Sequence, residues 1–180
     1  PTMYIALLDA ATRSEARPHL RYAISGGASL PLAVLERFQQ VFDAPVHEGY
    51  GLTETSPVAS FNHPDRPSRA GSVGVAIRGV ELALGRPPQE DEANGSDRAP
   101  VDLLDEADPE AIGEILVRGD NVMLGYWGDP VATAEAVRDG WFRTGDLARR
   151  DADGFYFIVD RVKDLIIRNG FNVYPREVEE

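Results

Sequence analysis

Apolar residues near the start of the chain recur at helical spacing, with Tyr4, Leu7, Leu8 and Ala11 on one side and Thr2 ahead of them as a candidate cap. Residues 21–25 read as a short strand that ends on Gly26-Gly27. Ser29 is predicted to cap a second helix with Pro31 near its first turn, and Leu32, Leu35, Phe38 and Phe42 form its apolar stripe. Residues 46–49 read as the next strand. Strand, glycine-rich turn, helix, strand is the order of an open α/β sheet. Ligands of such sheets gather at the carboxyl ends of the strands. Gly26-Gly27 and Gly49-Tyr50-Gly51 both fall at such ends, which predicts one shared site.

After Pro57 the pattern changes to period two. Pro64 and Pro67 mark a loop, and from Ser72 onward strands dominate. Val80, Leu82 and Leu84 alternate, as do Ile115 and Val117, predicting half-buried strands. Between them, residues 86–111 are acidic, rich in Pro, Ala and Asp, and aperiodic, so a long surface loop is expected. Asp129-Pro130 opens a short helix through Val137, stopped by Gly140. Residues 147–150 and 155–159 form a hairpin closed by Asp153-Gly154. A second hairpin is predicted around Asn169-Gly170, from 165–167 to 171–173, and Pro175 starts a helix that has barely begun at Glu180. The expected organisation is thus α/β over residues 1 to about 60 and β-rich over the following ninety or so, with a further change of pattern in the last segment.

Composition narrows the class. The chain has 180 residues, enough for one domain or slightly more, and its 43% hydrophobic content is that of a globular protein. A net charge of -12 makes a nucleic-acid backbone an unfavourable partner. There is no cysteine, which excludes disulfides, thiolate metal sites and a cysteine nucleophile. No signal-peptide layout opens the chain and no apolar run reaches the ~20 residues of a membrane span, so a soluble cytoplasmic protein is expected.

The densest chemistry lies in His47-Glu48-Gly49-Tyr50-Gly51-Leu52-Thr53-Glu54-Thr55-Ser56-Pro57. Gly49 and Gly51 allow close approach of backbone to a flat or charged group. Thr53 and Thr55 supply hydroxyls, and Glu54 supplies the hard oxygen that magnesium selects. By spacing alone, the same stretch also reads as a glycine-rich turn entering a polar loop. Further along, Asp146 carries a carboxylate able to accept from both hydroxyls of a ribose, although an aspartate there also reads as a turn or cap residue. Trp141 and Phe142 just before it read as core.

Tyr50-Gly51-Leu52-Thr53-Glu54-Thr55 resembles the signature of the adenylate-forming superfamily, which includes acyl-CoA synthetases, luciferases and peptide-synthetase adenylation domains. Arg143-Thr144-Gly145-Asp146-Leu147 and Asp160-Arg161-Val162-Lys163-Asp164, running into Gly170-Phe171-Asn172-Val173-Tyr174-Pro175, match in the same order. The resemblance implies part of a large N-terminal domain (residues 1–160) plus the start of a small C-terminal domain (161–180). It implies that Glu54 helps bind Mg2+ and that Thr53 contacts phosphate. Gly49, Tyr50 and Gly51 would line the adenine and substrate pockets, with Gly26, Gly27 and Ala28 on the facing wall. Asp146 would hold the ribose and Arg161 would reach ribose or phosphate. Lys163 would be the hinge of the small domain, whose side chain need do nothing. Gly170 would belong to the face presented to CoA, although it also fits a plain hairpin turn.

The implied activity is that of an acyl-CoA synthetase: a carboxylic acid and ATP give an acyl-adenylate, which CoA then attacks. The ending Phe171-Asn172-Val173-Tyr174-Pro175 resembles fatty-acid and related acyl-CoA ligases. The acid is expected to be a fatty acid, with an aryl or cinnamate-like acid as alternative. The family's upstream phosphate loop and its far C-terminal lysine are not in these residues, and Lys163 is the only lysine. The chain alone is therefore expected to be inactive. A non-catalytic nucleotide-binding remnant is the rival reading.

Overall fold

The computed structural model describes residues 1–87, 100–105, 108, 111–164, 166–168, 171–173 and 175. The first helix, α1 (Thr2–Arg13), begins after Pro1, so Thr2 is its first residue and not its cap. Strand β1 (Ala23–Ser25) is shorter than the expected 21–25. Helix α2 (Leu32–Phe42) is entered through Pro31, and Ser29 provides no cap. The ring of Pro31 fixes φ at the entry, and its carbonyl accepts the Val34 and Leu35 N–H groups at 2.9 and 3.0 Å. Leu35, Phe38 and Phe42 are buried as the stripe requires, whereas Leu32 is 50% exposed. Tyr4 of α1 meets Phe38 edge-on at 4.6 Å between ring centroids, and Phe38 stacks on Phe42 at 4.4 Å.

Strand β2 (Val46–Tyr50) runs parallel to β1, with Ile24 opposite His47. β3 (Ser60–Phe61) and β4 (Val75–Ala76) extend this sheet antiparallel, giving the order β1-β2-β3-β4. Between β2 and β3, Thr53–Thr55 forms one turn of 3-10 helix. Two helices and two parallel strands thus form an α/β layer whose strand ends are directed at the two glycine-rich stretches, and its sheet continues past residue 60 through β4.

The second sheet holds β5 (Val80–Gly85), β6 (Ile112–Gly119), β7 (Val137–Arg138), β8 (Trp141–Arg150) and β9 (Tyr156–Arg161). The short helix α3 (Pro130–Ala136) precedes β7, and Asp129 caps it by accepting from the Ala132 N–H at 2.9 Å. β7 and β8 form a hairpin across Asp139 and Gly140, both at positive φ, the pairing a two-residue primed turn requires. Gly140 thus turns a hairpin as well as following a helix. β8 is the hub. β6 pairs along one of its edges, while β7 and β9 share the other, β7 at the start and β9 from Asp146 onward.

Leu82, Leu84, Ile115 and Val117 lie on one face in a core with Phe142, Ala148 and Tyr156. The opposite face is not open. Ala83, Leu116 and Trp141 form a second cluster with Val101 against it. These strands are buried on both faces, not half-buried, because part of the expected 86–111 loop folds back. Arg86 and Leu104 donate backbone N–H to Asp102 and Leu84 at 2.8 Å each, and Leu103 bridges Gly85. Residues 88–99, 106, 107, 109 and 110 of that loop lie outside the described residues.

The sheets meet at Val73-Gly74, which together bond the Tyr156 backbone across the seam: the Tyr156 N–H donates to the Gly74 carbonyl at 3.0 Å and the Val73 N–H to the Tyr156 carbonyl at 2.9 Å. After β9, Val162–Asp164 makes a 3-10 turn that carries an exposed Lys163. β10 (Ile166–Arg168) and β11 (Phe171–Val173) form the second expected hairpin, Ile166 opposite Val173. Gly170 and all but the first residue of the helix expected from Pro175 lie outside the described residues. No helix among the described residues is long and apolar enough to cross a membrane.

Candidate functional site

The carboxyl ends of β1 and β2 open onto a cavity of about 370 Å3, within the ~300–1,000 Å3 typical of small-molecule sites. Gly27 and Ala28 form one wall and Gly49, Tyr50 and Gly51 another, with Asp146 and Arg161 reaching in from the second sheet. The two glycine-rich turns thus share one site, as their positions in the sequence predict. Gly26 does not line it. Gly26 instead packs beneath, where an added Cβ would lie 3.2 Å from the Gly49 carbonyl oxygen. Gly51 needs to be glycine for a second reason: any Cβ would overlap the Pro57 carbonyl.

Asp146 organises the polar side of the cavity. It is 8% exposed. Its Oδ2 accepts the Tyr50 hydroxyl at 2.6 Å and its Oδ1 accepts the Arg161 Nε–H at 2.9 Å. Asp146 and Arg161 are direct cross-strand partners in β8 and β9, which is why residues distant in sequence meet here. Burial raises the Tyr50 phenol far above its ordinary value. The neighbouring Asp146 charge and the hydrogen bond to it add to that rise, while Thr144 and Arg161 oppose it.

That rise has a measurable consequence. The folded chain holds the Tyr50 proton above the ordinary phenol value of 10.0. The unfolded chain releases it, so stability is lost as pH climbs through that window, at about 1.4 kcal/mol per pH unit. Tyr50→Phe removes this term. Urea midpoints measured from about pH 10 to about pH 11.5 are expected to fall less steeply for the variant than for the parent chain. Parallel slopes would refute the assignment.

The Thr53–Thr55 turn lies beside the cavity, and neither Thr53 nor Glu54 is among its lining residues. Thr55 is fully buried and its hydroxyl is consumed locally, accepting the Leu52 N–H at 2.9 Å and donating to the Leu52 carbonyl at 3.0 Å. Its hydroxyl is structural, which leaves exposed Thr53 as the free hydroxyl of the pair. Glu54 Oε1 accepts the Tyr126 hydroxyl at 2.9 Å, and the Glu54 carbonyl accepts the Met123 N–H at 2.8 Å. Asn121 ties the same turn down by donating to Thr55 and Val58 carbonyls at 3.0 and 2.8 Å. The Tyr126 phenol is raised by burial and by its bond to Glu54.

Three residues at or near the site carry no role in the sequence reading. Glu48 lines the cavity and accepts the Gly71 N–H at 3.2 Å. Tyr126 braces Glu54. Glu114 is 3% exposed behind Asp146. Only Glu114 had a signal of its own, an acidic residue amid the apolar run Ile112-Gly113-Glu114-Ile115-Leu116-Val117. Among the described residues no group of three or more His, Asp or Glu gathers to hold a metal by itself. A magnesium ion needs no such cluster, since one carboxylate and a nucleotide's phosphate oxygens suffice.

A parallel strand pair ending in glycine turns, faced by a carboxylate on a β-rich second sheet, is the partial fold of the large domain of adenylate-forming enzymes. The chain belongs to the AMP-binding enzyme family, whose profile matches residues 1–127. It is 39% identical over 188 residues to a long-chain-fatty-acid–CoA ligase of Bacillus subtilis (strain 168), covering 100% of this chain and 30% of that protein. It is 41% identical over 181 residues to a feruloyl-CoA synthase of Amycolatopsis sp, covering 99% of this chain and 34% of the other. Among solved structures, it superposes with a TM-score of 0.77 and 33% identity on O-succinylbenzoate coenzyme A synthetase (MenE) from Bacillus subtilis in complex with ATP and magnesium ion, over 99% of this chain and 34% of that one. The chain thus spans about a third of the length of these relatives.

Proposed function

We propose that the protein carrying this chain is an acyl-CoA ligase, which activates a carboxylic acid as its acyl-adenylate and passes the acyl group to CoA. The observation that carries the reading is the cavity in which Gly27, Ala28, Gly49, Tyr50 and Gly51 face Asp146 and Arg161. A buried carboxylate flanked by a cation suits a ribose diol next to phosphate, and glycine walls suit the flat face of adenine. In this reading Asp146 takes the ribose and Arg161 the ribose or phosphate, while Thr53 contacts phosphate. Glu54, held by Tyr126, would bind magnesium, which supplies charge neutralisation at the phosphates. The protein's own part is mostly positioning and electrostatic: the acid is held in line with the α-phosphorus, and pyrophosphate leaves as the new oxygen–phosphorus bond forms. Residues 1–160 would belong to the large domain, and residues 161–180 to the hinge at Lys163 and the start of the small domain, with Gly170 on the CoA face.

A fatty acid is the preferred substrate class, supported by the likeness to long-chain-fatty-acid–CoA ligases. An aryl acid is the second reading, favoured by the likeness to feruloyl-CoA synthase. Pyrophosphate exchange by the native gene product, run against a panel of acids, separates them. Exchange is expected with long-chain fatty acids above ferulate. Exchange with ferulate alone moves the assignment to the aryl ligases, and exchange with amino acids alone overturns it. AMP binding without exchange would identify a non-catalytic nucleotide-binding protein.

A further inference from the structure

A carboxyl group is buried in the middle of β6, one strand behind the cavity. Glu114 Oε1 accepts the Gly145 N–H at 2.9 Å, and Oε2 accepts both the Nε–H of Arg143, at 2.9 Å, and its terminal N–H. The two side chains are 4% and 13% exposed, so this is an interior ion pair, whose desolvation a surface pair avoids. Such a pair needs a reason beyond stability, and the strand opposite supplies one. Glu114 faces Leu147 and Leu116 faces Arg143, so the single residue Ile115 stands against Thr144, Gly145 and Asp146.

β8 therefore bulges at the residues that lead to Asp146. The bulge is tied at each step. The Thr144 hydroxyl donates to the Ile115 carbonyl at 2.8 Å and accepts the Asp146 N–H at 3.1 Å. Gly145 supplies the left-handed turn at φ 74. Glu114 holds the apex through the Gly145 N–H and the approach through Arg143. Bulges re-aim side chains. Here Asp146 is the last residue of the bulge, and its carboxylate is directed at Tyr50 and Arg161 on the cavity wall.

We propose that Glu114 is a positioning residue for ribose recognition: by clamping the β8 bulge it aims the Asp146 carboxylate, and so gives the site its preference for ribonucleotides over deoxyribonucleotides. The proposal rests on the nucleotide reading given above. Glu114 touches no ligand in it. An interior ion pair serving only the core would affect all nucleotides alike, whereas a clamp on Asp146 affects only the part of affinity that depends on the ribose hydroxyls.

The test measures equilibrium affinities of the native gene product for AMP and for 2′,3′-dideoxy-AMP, with circular dichroism melts to establish folding. The unaltered protein is expected to prefer AMP by about tenfold or more, from hydrogen bonds to a charged acceptor. In Glu114→Gln an NH2 group replaces one of the two acceptor oxygens and meets either the Gly145 N–H or the Arg143 guanidinium donor to donor, so the preference is expected to fall below about threefold, with dideoxy-AMP affinity held within about twofold. The double variant E114L/R143L removes every acceptor of the clamp, leaves no lone charge in the interior and is expected to show the same fall. Gly145→Ala, which meets no atom within 4 Å and disturbs only the turn, is read the same way should both others fail to fold. A folded variant that keeps the full preference for AMP, or loses both ligands equally, overturns the proposal. Equal binding of both ligands by the unaltered protein would instead remove the ribose reading itself.

Discussion

Exchanging Asp146 for alanine is expected to weaken AMP binding to the native gene product by about 100-fold. The estimate takes two hydrogen bonds to a charged acceptor at ~1.5–3 kcal/mol each, with part of the loss offset by the partners regaining solvent. Tyr50 and Arg161 would each lose their acceptor within the cavity, so the cost includes their desolvation as well as the missing ribose contacts. Asp146→Asn, which keeps the shape and one acceptor but not the charge, is expected to fall between the two. Fluorescence titration with a labelled AMP checks the order. Affinities unchanged in both variants would exclude Asp146 from the nucleotide site.

Gly74→Ala is expected to have the largest effect on folding. Its Cβ would collide with the backbone carbonyl of Phe61 and the amide nitrogen of Asn62, and its φ of 85 is one that side-chain-bearing residues rarely adopt. No flexible side chain can yield, and the residue sits on the seam between the sheets. A loss of about 3 kcal/mol or more is expected, equivalent to a Tm lower by about 6–12 °C. Gly71→Ala is the internal control. Its φ is 76, but nothing lies within 4 Å of the added atom, so only the torsional cost of about 1 kcal/mol applies. Equal melting temperatures for the two variants would contradict the crowding at Gly74.

Much of this architecture was legible in the residues. Periodicity located α1 and α2, while Asp129-Pro130 marked the start of α3 and Asp153-Gly154 the turn between β8 and β9. The two glycine turns were correctly placed at strand ends, and the order of three short motifs pointed to the family. What periodicity missed was decided by contacts between distant segments. Leu32 has the spacing of a core residue and is exposed, while Val101 lies in an aperiodic acidic stretch and covers a core cluster. At α2 the chain enters through Pro31, so the sequence-predicted cap Ser29 lies ahead of the cap position. Thr55 and Thr53 look equivalent in sequence, and only the closed turn shows that one hydroxyl is already spent on backbone. Glu114 stands out locally as an acid in an apolar run, but what it holds is a bulge in a strand about thirty residues away, which no local pattern encodes.

The two donors on Asp146 also bear on the heat of ligand association. With Tyr50 on one oxygen and Arg161 on the other, the carboxylate is already engaged before a ribose arrives. In the nucleotide reading proposed above, each donor that a diol displaces from the carboxylate would offset part of the heat of the new bond. Enthalpy at a single temperature will therefore understate the contact. The heat-capacity change is the better record, because it follows the apolar wall of Leu52, Val73 and Ile158 that the ligand covers.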